Sequence, residues 1–199
     1  LLSRRQRQMC IRDSFYYEVL ASRPKENQLA IILNDITKSK QAEERLHYLS
    51  YHDQLTGLYN RRFFEDQLLQ LNSPNYYPLF ITMADINGLK LMNDSFGHAA
   101  GDIYIQKVAE VLREGFREKD IISRLGGDEF IILSPNTDAA EIKELIGRIN
   151  ERTKHEAVHK ITLSVSFGYS VKCRAEESIL DVLRKAEDYM LSLIHISEP

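Results

Sequence analysis

"RLGGDEFIIL", residues 124–133, sets two glycines and two carboxylates between two apolar runs. "DIISRL" before the glycines and "FIILS" after the carboxylates read as strands, with glycine supplying the backbone freedom that a two-residue hairpin needs. Asp128 and Glu129 then stand at the tip of a hairpin, where like charges repel. A bound cation would cancel the repulsion, whereas a solvated turn rich in Gly and Asp would need none.

Around that hairpin the hydrophobic periodicity is readable. "PLFITMADI" (78–86) reads as a buried strand. Helix is expected over about 62–71. It is expected again from Gly101 to Phe116, where Ile105, Val108, Ala109, Leu112 and Phe116 recur at helical spacing. Ala139, Ile142, Leu145, Ile146 and Ile149 mark a further helix, and Ile179, Val182, Leu183, Ala186 and Met190 a last one. "ITLSVSFGYSV" (161–171) alternates apolar and polar residues as one half-buried strand does. Upstream, "LAIILNDIT" (29–37) reads as a strand that feeds a charged helical linker over 38–50. Ala42, Leu46 and Leu49 lie there at the spacing of a short dimer seam. The fold class is α/β, an α+β sandwich in which helices cover a sheet containing an antiparallel hairpin.

The chain has 199 residues and 43% hydrophobic content, enough for one main domain with appendages. A net charge of −3 with scattered Lys and Arg gives no basic stripe, which excludes a nucleic-acid polymer as partner but leaves room for a small anion. Cys10 and Cys173 form no metal-spaced pattern, and no apolar run approaches the roughly 20 residues of a membrane span. These features lead to the expectation of a cytoplasmic piece with no membrane segment. "RRQRQMCIRDS" (4–14) and "LSLIHISEP" (191–199) match neither the periodicity nor the composition of their neighbours and resemble translated sequencing-adapter read-through. Residues 1–14 and 191–199 are therefore set aside as non-native, with natural disordered termini as the alternative.

A second acidic strand end lies in "ITMADINGLKLMNDSFGHAAGD" (81–102), which leaves its strand at Asp85 and passes through Asn87-Gly88. Backbone amides there can approach an anion without interference from a Cβ. A sheet can bring Asp85 and Asp128 side by side. Paired oxygen ligands with no His or Cys nearby suit Mg²⁺, which keeps waters and binds phosphates. Two solvated turns would give the same pattern.

Four segments together, in order and spacing, resemble the GGDEF-domain diguanylate cyclases: "DQLTGLYNRR" (53–62), "ADINGLKLMNDSFGHAAGD" (84–102), "RLGGDEF" (124–130) and "LRKAEDYM" (183–190). The resemblance covers residues 51–190, and "IILNDITKSKQAEERL" (31–46) resembles the end of a PAS sensor and its signalling linker, with a PAS remnant over 15–37. It implies a βααββαβ core related to polymerase palms, and an enzyme that condenses two GTP into cyclic di-GMP across a homodimer. It implies a metal site of Asp85, the Ile86 carbonyl and Asp128, filled by Mg²⁺ or by Mn²⁺ in its place. Gly88, Leu89 and Lys90 would hold phosphates beside the Gly126-Gly127 turn. Asn93 and Asp102 would read the guanine edge, and Glu129 would assist the 3′-hydroxyl or complete the metal shell.

Two departures qualify the resemblance. Asn87 stands where many members carry Asp, with little expected effect on binding. After Met190 the chain offers neither the Lys nor the Arg that the family directs at the γ-phosphate. At about 1.5–3 kcal/mol for each charge-assisted contact, their loss would raise the GTP Kd at least a hundredfold and leave this chain impaired. "REKD" (117–120) has the form and offset of the family's inhibitory product site, with Arg117 and Asp120 as ligands and Arg148 as a second cation. Removing Arg117 is expected to relieve inhibition and spare basal turnover. The alternative to an enzyme is a non-catalytic GGDEF module that receives cyclic di-GMP at that site. His47, His52 and His98 lack ligand spacing and read as polar surface or capping residues.

Overall fold

In the computed structural model the 124–133 stretch forms the hairpin that its glycines imply. Strands Ile121–Gly126 and Glu129–Pro135 pair antiparallel, and Gly126 faces Glu129 across a loop of only Gly127 and Asp128. Gly127 adopts φ +53°, the left-handed region that a Cβ disfavours.

The structure describes residues 5–10, 15–25 and 28–197. The chain divides into two units, Leu1–Ser50 and Tyr51–Pro199. The first holds β1 (Arg5–Cys10), β2 (Tyr16–Lys25) and β3 (Gln28–Asp35) in an antiparallel sheet of that order, followed by α1 (Thr37–Tyr51). The Asp35 carboxylate accepts from the Thr37 N–H at 2.9 Å, and this cap starts the linker helix where a helix is expected. Leu46 on α1 is exposed. Residues 5–10, set aside at the sequence level, pair with β2 through their backbone, while residues 1–4 and 11–14 lie outside those described.

The second unit begins with β4 (Tyr59–Asn60) and α2 (Arg61–Leu71), then β5 (Leu79–Ile86), α3 (Leu89–Phe96) and α4 (His98–Gly115). The hairpin strands are β6 (Ile121–Gly126) and β7 (Glu129–Pro135), followed by α5 (Ala139–Thr153), β8 (Ala157–Val158), β9 (Ile161–Thr162), β10 (Val165–Lys172) and α6 (Ile179–Ser197). The run β5-α3-α4-β6-β7-α5-β10 is the implied βααββαβ core. The central sheet has the order β10-β5-β7-β6-β4, antiparallel except where β4 pairs parallel with β6.

Alternation along the strands builds the two cores. Phe80, Ala84, Ile86, Phe130 and Ile132 pack with α4 and α5, whereas Leu79, Ile81, Met83, Ile131 and Leu133 pack with α2 and α6. Both faces are covered, which is why β5 and β7 read as unbroken apolar runs. The single strand expected over 161–171 is instead two. Ile161 and Thr162 pair with β8, Leu163 N–H donates to the Glu156 carbonyl, and only from Val165 does the chain join β5. The last helix continues past Met190 to Ser197, while residues 198–199 of the stretch set aside lie outside those described.

Candidate active site

Three strand ends meet at one edge of the central sheet. Asp85, the penultimate residue of β5, lies opposite Glu129 on β7 and opposite Ser166 on β10. Ile86 N–H donates to the Asp128 carbonyl at 3.1 Å, which ties the β5 end to the hairpin tip. Residues directly opposite in an antiparallel pair share a face, so Asp85 and Glu129 point the same way, an unfavourable arrangement for two like charges. Burial, then Asp128, then Glu129, pushes the Asp85 carboxyl up to about 6 from an ordinary 3.8. Asp85 and Asp128 are thus brought close enough to act on each other.

The donors here are carboxylates and backbone carbonyls. Among the described residues no group of three or more His, Cys, Asp and Glu forms a metal site by itself. The donor chemistry fits a hard cation that completes its shell with waters and phosphate oxygens.

Beyond Asp85 the chain turns into α3, a helix that the periodicity did not reveal. Gly88 caps it at φ +76° with no side-chain cap, leaving the first-turn N–H groups around Leu89 and Lys90 without an Asx or Ser acceptor. Leu89 is buried and Lys90 exposed. The Asn87 side chain donates to Ser164 Oγ at 2.9 Å and accepts from Ser166 Oγ at 3.1 Å, so its amide joins the β5 exit to the start of β10. Serine hydroxyls both donate and accept, so a carboxylate would also be satisfied in this position. On α3 the Asn93 side chain lies against Gly101 of α4, next to Asp102, so the expected guanine readers are neighbours.

The Arg117 cluster is built differently. Asp120 accepts from Arg117 N, Nε and Nη2 at 2.9, 3.0 and 2.6 Å, and its side chain is fully buried. Arg117 also donates to Glu141 and Thr137. The Asp120 hydrogen bond first, and Glu141 after it, hold Arg117 above its ordinary pKa against the opposing effect of burial. Arg148 is directed at the Gly115 carbonyl, at the C-terminal end of α4, rather than at Arg117 or Asp120.

Residues 50–195 match the family described as diguanylate cyclase, GGDEF domain. The chain belongs to the GGDEF family. An uncharacterized protein of Mycobacterium tuberculosis is 33% identical over 172 residues, which cover 84% of this chain and 28% of that protein. Diguanylate cyclase DgcP of Escherichia coli is 37% identical over 124 residues, or 61% of this chain and 36% of that one. The chain thus spans well under half the length of these curated relatives. The coiled coil and GGDEF domain of DgcB from Caulobacter crescentus, crystallised with c-di-GMP, superposes with a TM-score of 0.74 at 21% identity, covering 82% of this chain and 90% of that one, and shows the same fold.

In this GGDEF domain the hairpin tip is held by a residue that sequence reasoning missed. Arg124 Nη2 and Nε donate to the Gly127 carbonyl at 2.8 and 3.1 Å, while Nη1 reaches Asp53 at 3.1 Å. Asp53 also accepts from the Thr56 N–H and hydroxyl at 2.9 and 2.7 Å. Burial works against the Asp53 carboxylate, but the hydrogen bonds from Thr56 and Arg124 prevail and keep it below the ordinary range. The signal was present in "DQLT", an Asx-turn sequence, and in a cation just before the glycines, but nothing local pairs residues 53 and 124.

Proposed function

We propose that this GGDEF domain is a diguanylate cyclase that joins two GTP molecules, one on each subunit of a homodimer, into cyclic di-GMP. Each 3′-oxygen attacks the α-phosphorus of the facing nucleotide, the bond to pyrophosphate breaks, and the hydroxyl proton passes to a base or water. Two pyrophosphates leave. The observation that carries this reading is the gathering of Asp85, Asp128 and Glu129 at the ends of β5 and β7, next to the uncapped start of α3, where burial and the two neighbouring carboxylates raise Asp85.

Asp85, the Ile86 carbonyl and Asp128 would hold Mg²⁺, or Mn²⁺ in its place, and the bound ion would neutralise triphosphate charge. The Gly88–Lys90 amides and the Lys90 ammonium receive phosphate oxygens, as helix N-termini do. The Gly126-Gly127 turn lets the nucleotide come close to the backbone. Asn93 donates to guanine acceptors, Asp102 accepts from its N–H pair, and Glu129 orients or deprotonates the 3′-hydroxyl. Positioning two nucleotides face to face supplies most of the acceleration. Arg117 and Asp120 form the product site through which cyclic di-GMP inhibits, and Arg148 would join it only by leaving the Gly115 carbonyl. Strands β2 and β3, within residues 15–37, are the closing part of a PAS sensor, and α1 is the linker that sets how often two domains face each other.

A receptor without turnover is the second reading, favoured by one feature: Arg117 and Asp120 form a paired cluster of their own that does not use the carboxylates of β5 and β7. Incubation of the chain with GTP and Mg²⁺, followed by nucleotide chromatography, separates the two. The cyclase reading expects cyclic di-GMP and pyrophosphate, lost with EDTA or in Asp128→Asn, at a rate per subunit that falls on dilution. Retained cyclic di-GMP binding with no turnover at any GTP concentration would establish the receptor instead.

A further inference from the structure

Glycine weakens a helix relative to alanine, yet Gly101 sits in the fourth position of the 18-residue α4. Its backbone does not require glycine: the left-handed glycines are Gly57, Gly88, Gly97, Gly126 and Gly127. The reason lies in space. A methyl group at Gly101 would fall 1.9 Å from Asn93 Oδ1 and 2.9 Å from its Cγ, far inside contact distance. The Asn93 side chain therefore occupies the notch that the missing Cβ leaves. It is half-buried, its amide has no hydrogen-bond partner among the described residues, and Asp102 is the next residue along α4.

Two other close approaches differ in kind. A Cβ at Gly115 would strike the buried Ile149 side chain, and one at Gly168 would strike the α6 backbone at Ala186 and Met190. Those glycines let core elements close on each other. The neighbour at Gly101 is the free end of a polar side chain that can swing away, so filling the notch displaces Asn93 rather than the fold.

We propose that Gly101 is a positioning residue for nucleotide selection: its bare Cα seats the Asn93 amide beside the Asp102 carboxylate, so that both meet one edge of a guanine base. This rests on the reading of Asn93 and Asp102 as guanine-binding groups. A base with acceptors for the amide and donors for the carboxylate satisfies both, whereas adenine presents an amino group where guanine presents its carbonyl. Gly101 sharpens the choice of GTP over ATP without touching either.

The test is a double-mutant cycle of Asn93→Ala and Gly101→Ala in the whole chain, with Mg²⁺-GTP and Mg²⁺-ATP affinities measured by calorimetry beside thermal unfolding. Asn93→Ala is expected to weaken GTP binding about tenfold, with little effect on ATP. Gly101→Ala is expected to do the same while its midpoint of unfolding stays level or rises, as better helix propensity dictates. The double variant should match Asn93→Ala alone. If Asn93→Ala leaves GTP binding unchanged, the guanine reading itself fails. If Asn93→Ala weakens binding but Gly101→Ala does not, the positioning role fails and the guanine reading stands. A drop in unfolding temperature for Gly101→Ala, or a double variant worse than Asn93→Ala, would make Gly101 a packing residue and overturn the proposal.

Discussion

The carboxylates at the β5–β7 edge and the charges around Arg117 use similar side chains in opposite states of balance. At the edge, Asp85, Asp128 and Glu129 meet without an ion pair to Asp85, and burial first, then the two neighbouring carboxylates, raise the Asp85 carboxyl to about 6. Around Arg117 every charge has a partner: Asp120 fills one side of the guanidinium, Glu141 and Thr137 the other. An unbalanced cluster is stabilised by what it binds. A balanced one must surrender a contact to bind anything. The contrast predicts opposite responses when a charge is removed from each.

The largest response is expected from Arg117→Ala. It strips a fully buried Asp120 carboxylate of its guanidinium and leaves it only backbone donors. Breaking a buried pair from one side costs about 3 kcal/mol or more. At this chain length that is a fall of about 6–12 °C in Tm, measured by thermal unfolding. Arg117→Lys should recover only part, because an ammonium cannot reproduce the forked geometry. Loss of Arg117 is then expected to lower stability as well as relieve inhibition. An unchanged Tm would show that Asp120 does not depend on the guanidinium and would erase the contrast.

Removing a charge from the other cluster should stabilise. The fold raises the Asp85 pKa from 3.8 to about 6, so folding favours the protonated form. The associated stability is complete below about pH 4 and is lost as pH rises through 6. Asp85→Asn removes that loss. The metal-free variant should equal the parent near pH 4 and exceed it above pH 7, by about 1 kcal/mol on the scale of directly opposed like charges. Mg²⁺ should raise the Tm of the parent at pH 7 and leave the variant nearly unmoved. A constant difference across pH would show that the fold does not raise the Asp85 pKa, by burial or by repulsion.

What the sequence revealed follows the same division between local and distant causes. The β5 and β7 runs, the α4 and α5 stripes and the glycine turn are written in neighbouring residues, so they were legible, and with them the strand ends that carry Asp85 and Asp128. The eight-residue α3 was not, because only Leu89 and Met92 are buried, and two points define no period. The break between β9 and β10 escaped because alternation continues through it, although the pairing partner changes from β8 to β5. Arg124 with Asp53, Arg117 with Glu141, and Asn87 with Ser164 and Ser166 are choices between residues 24 to 79 positions apart. No local pattern selects such partners. The fold must exist before they meet.

The smallest response concerns Glu141, and it decides whether the Arg117 cluster can act as a ligand site at all. A phosphate cannot take the outer edge of the guanidinium while Glu141 holds it, yet the buried Asp120 need not let go, since it uses Nε and Nη2 and leaves Nη1 to Glu141. If cyclic di-GMP binds at Arg117 as proposed, Glu141 competes with it for the guanidinium. Its side chain is 40% exposed, so the pair is screened and contributes on the order of 0.2–1 kcal/mol. Glu141→Gln keeps the shape and gives up the charge. Cyclic di-GMP should bind about threefold more tightly to it, in calorimetry at low salt, with Tm almost unchanged. The gain should shrink as salt is added, because screening already weakens the contact in the parent. Weaker product binding in Glu141→Gln would mean that the carboxylate orients Arg117 for the phosphate rather than blocking it, and the two clusters would then differ only in burial.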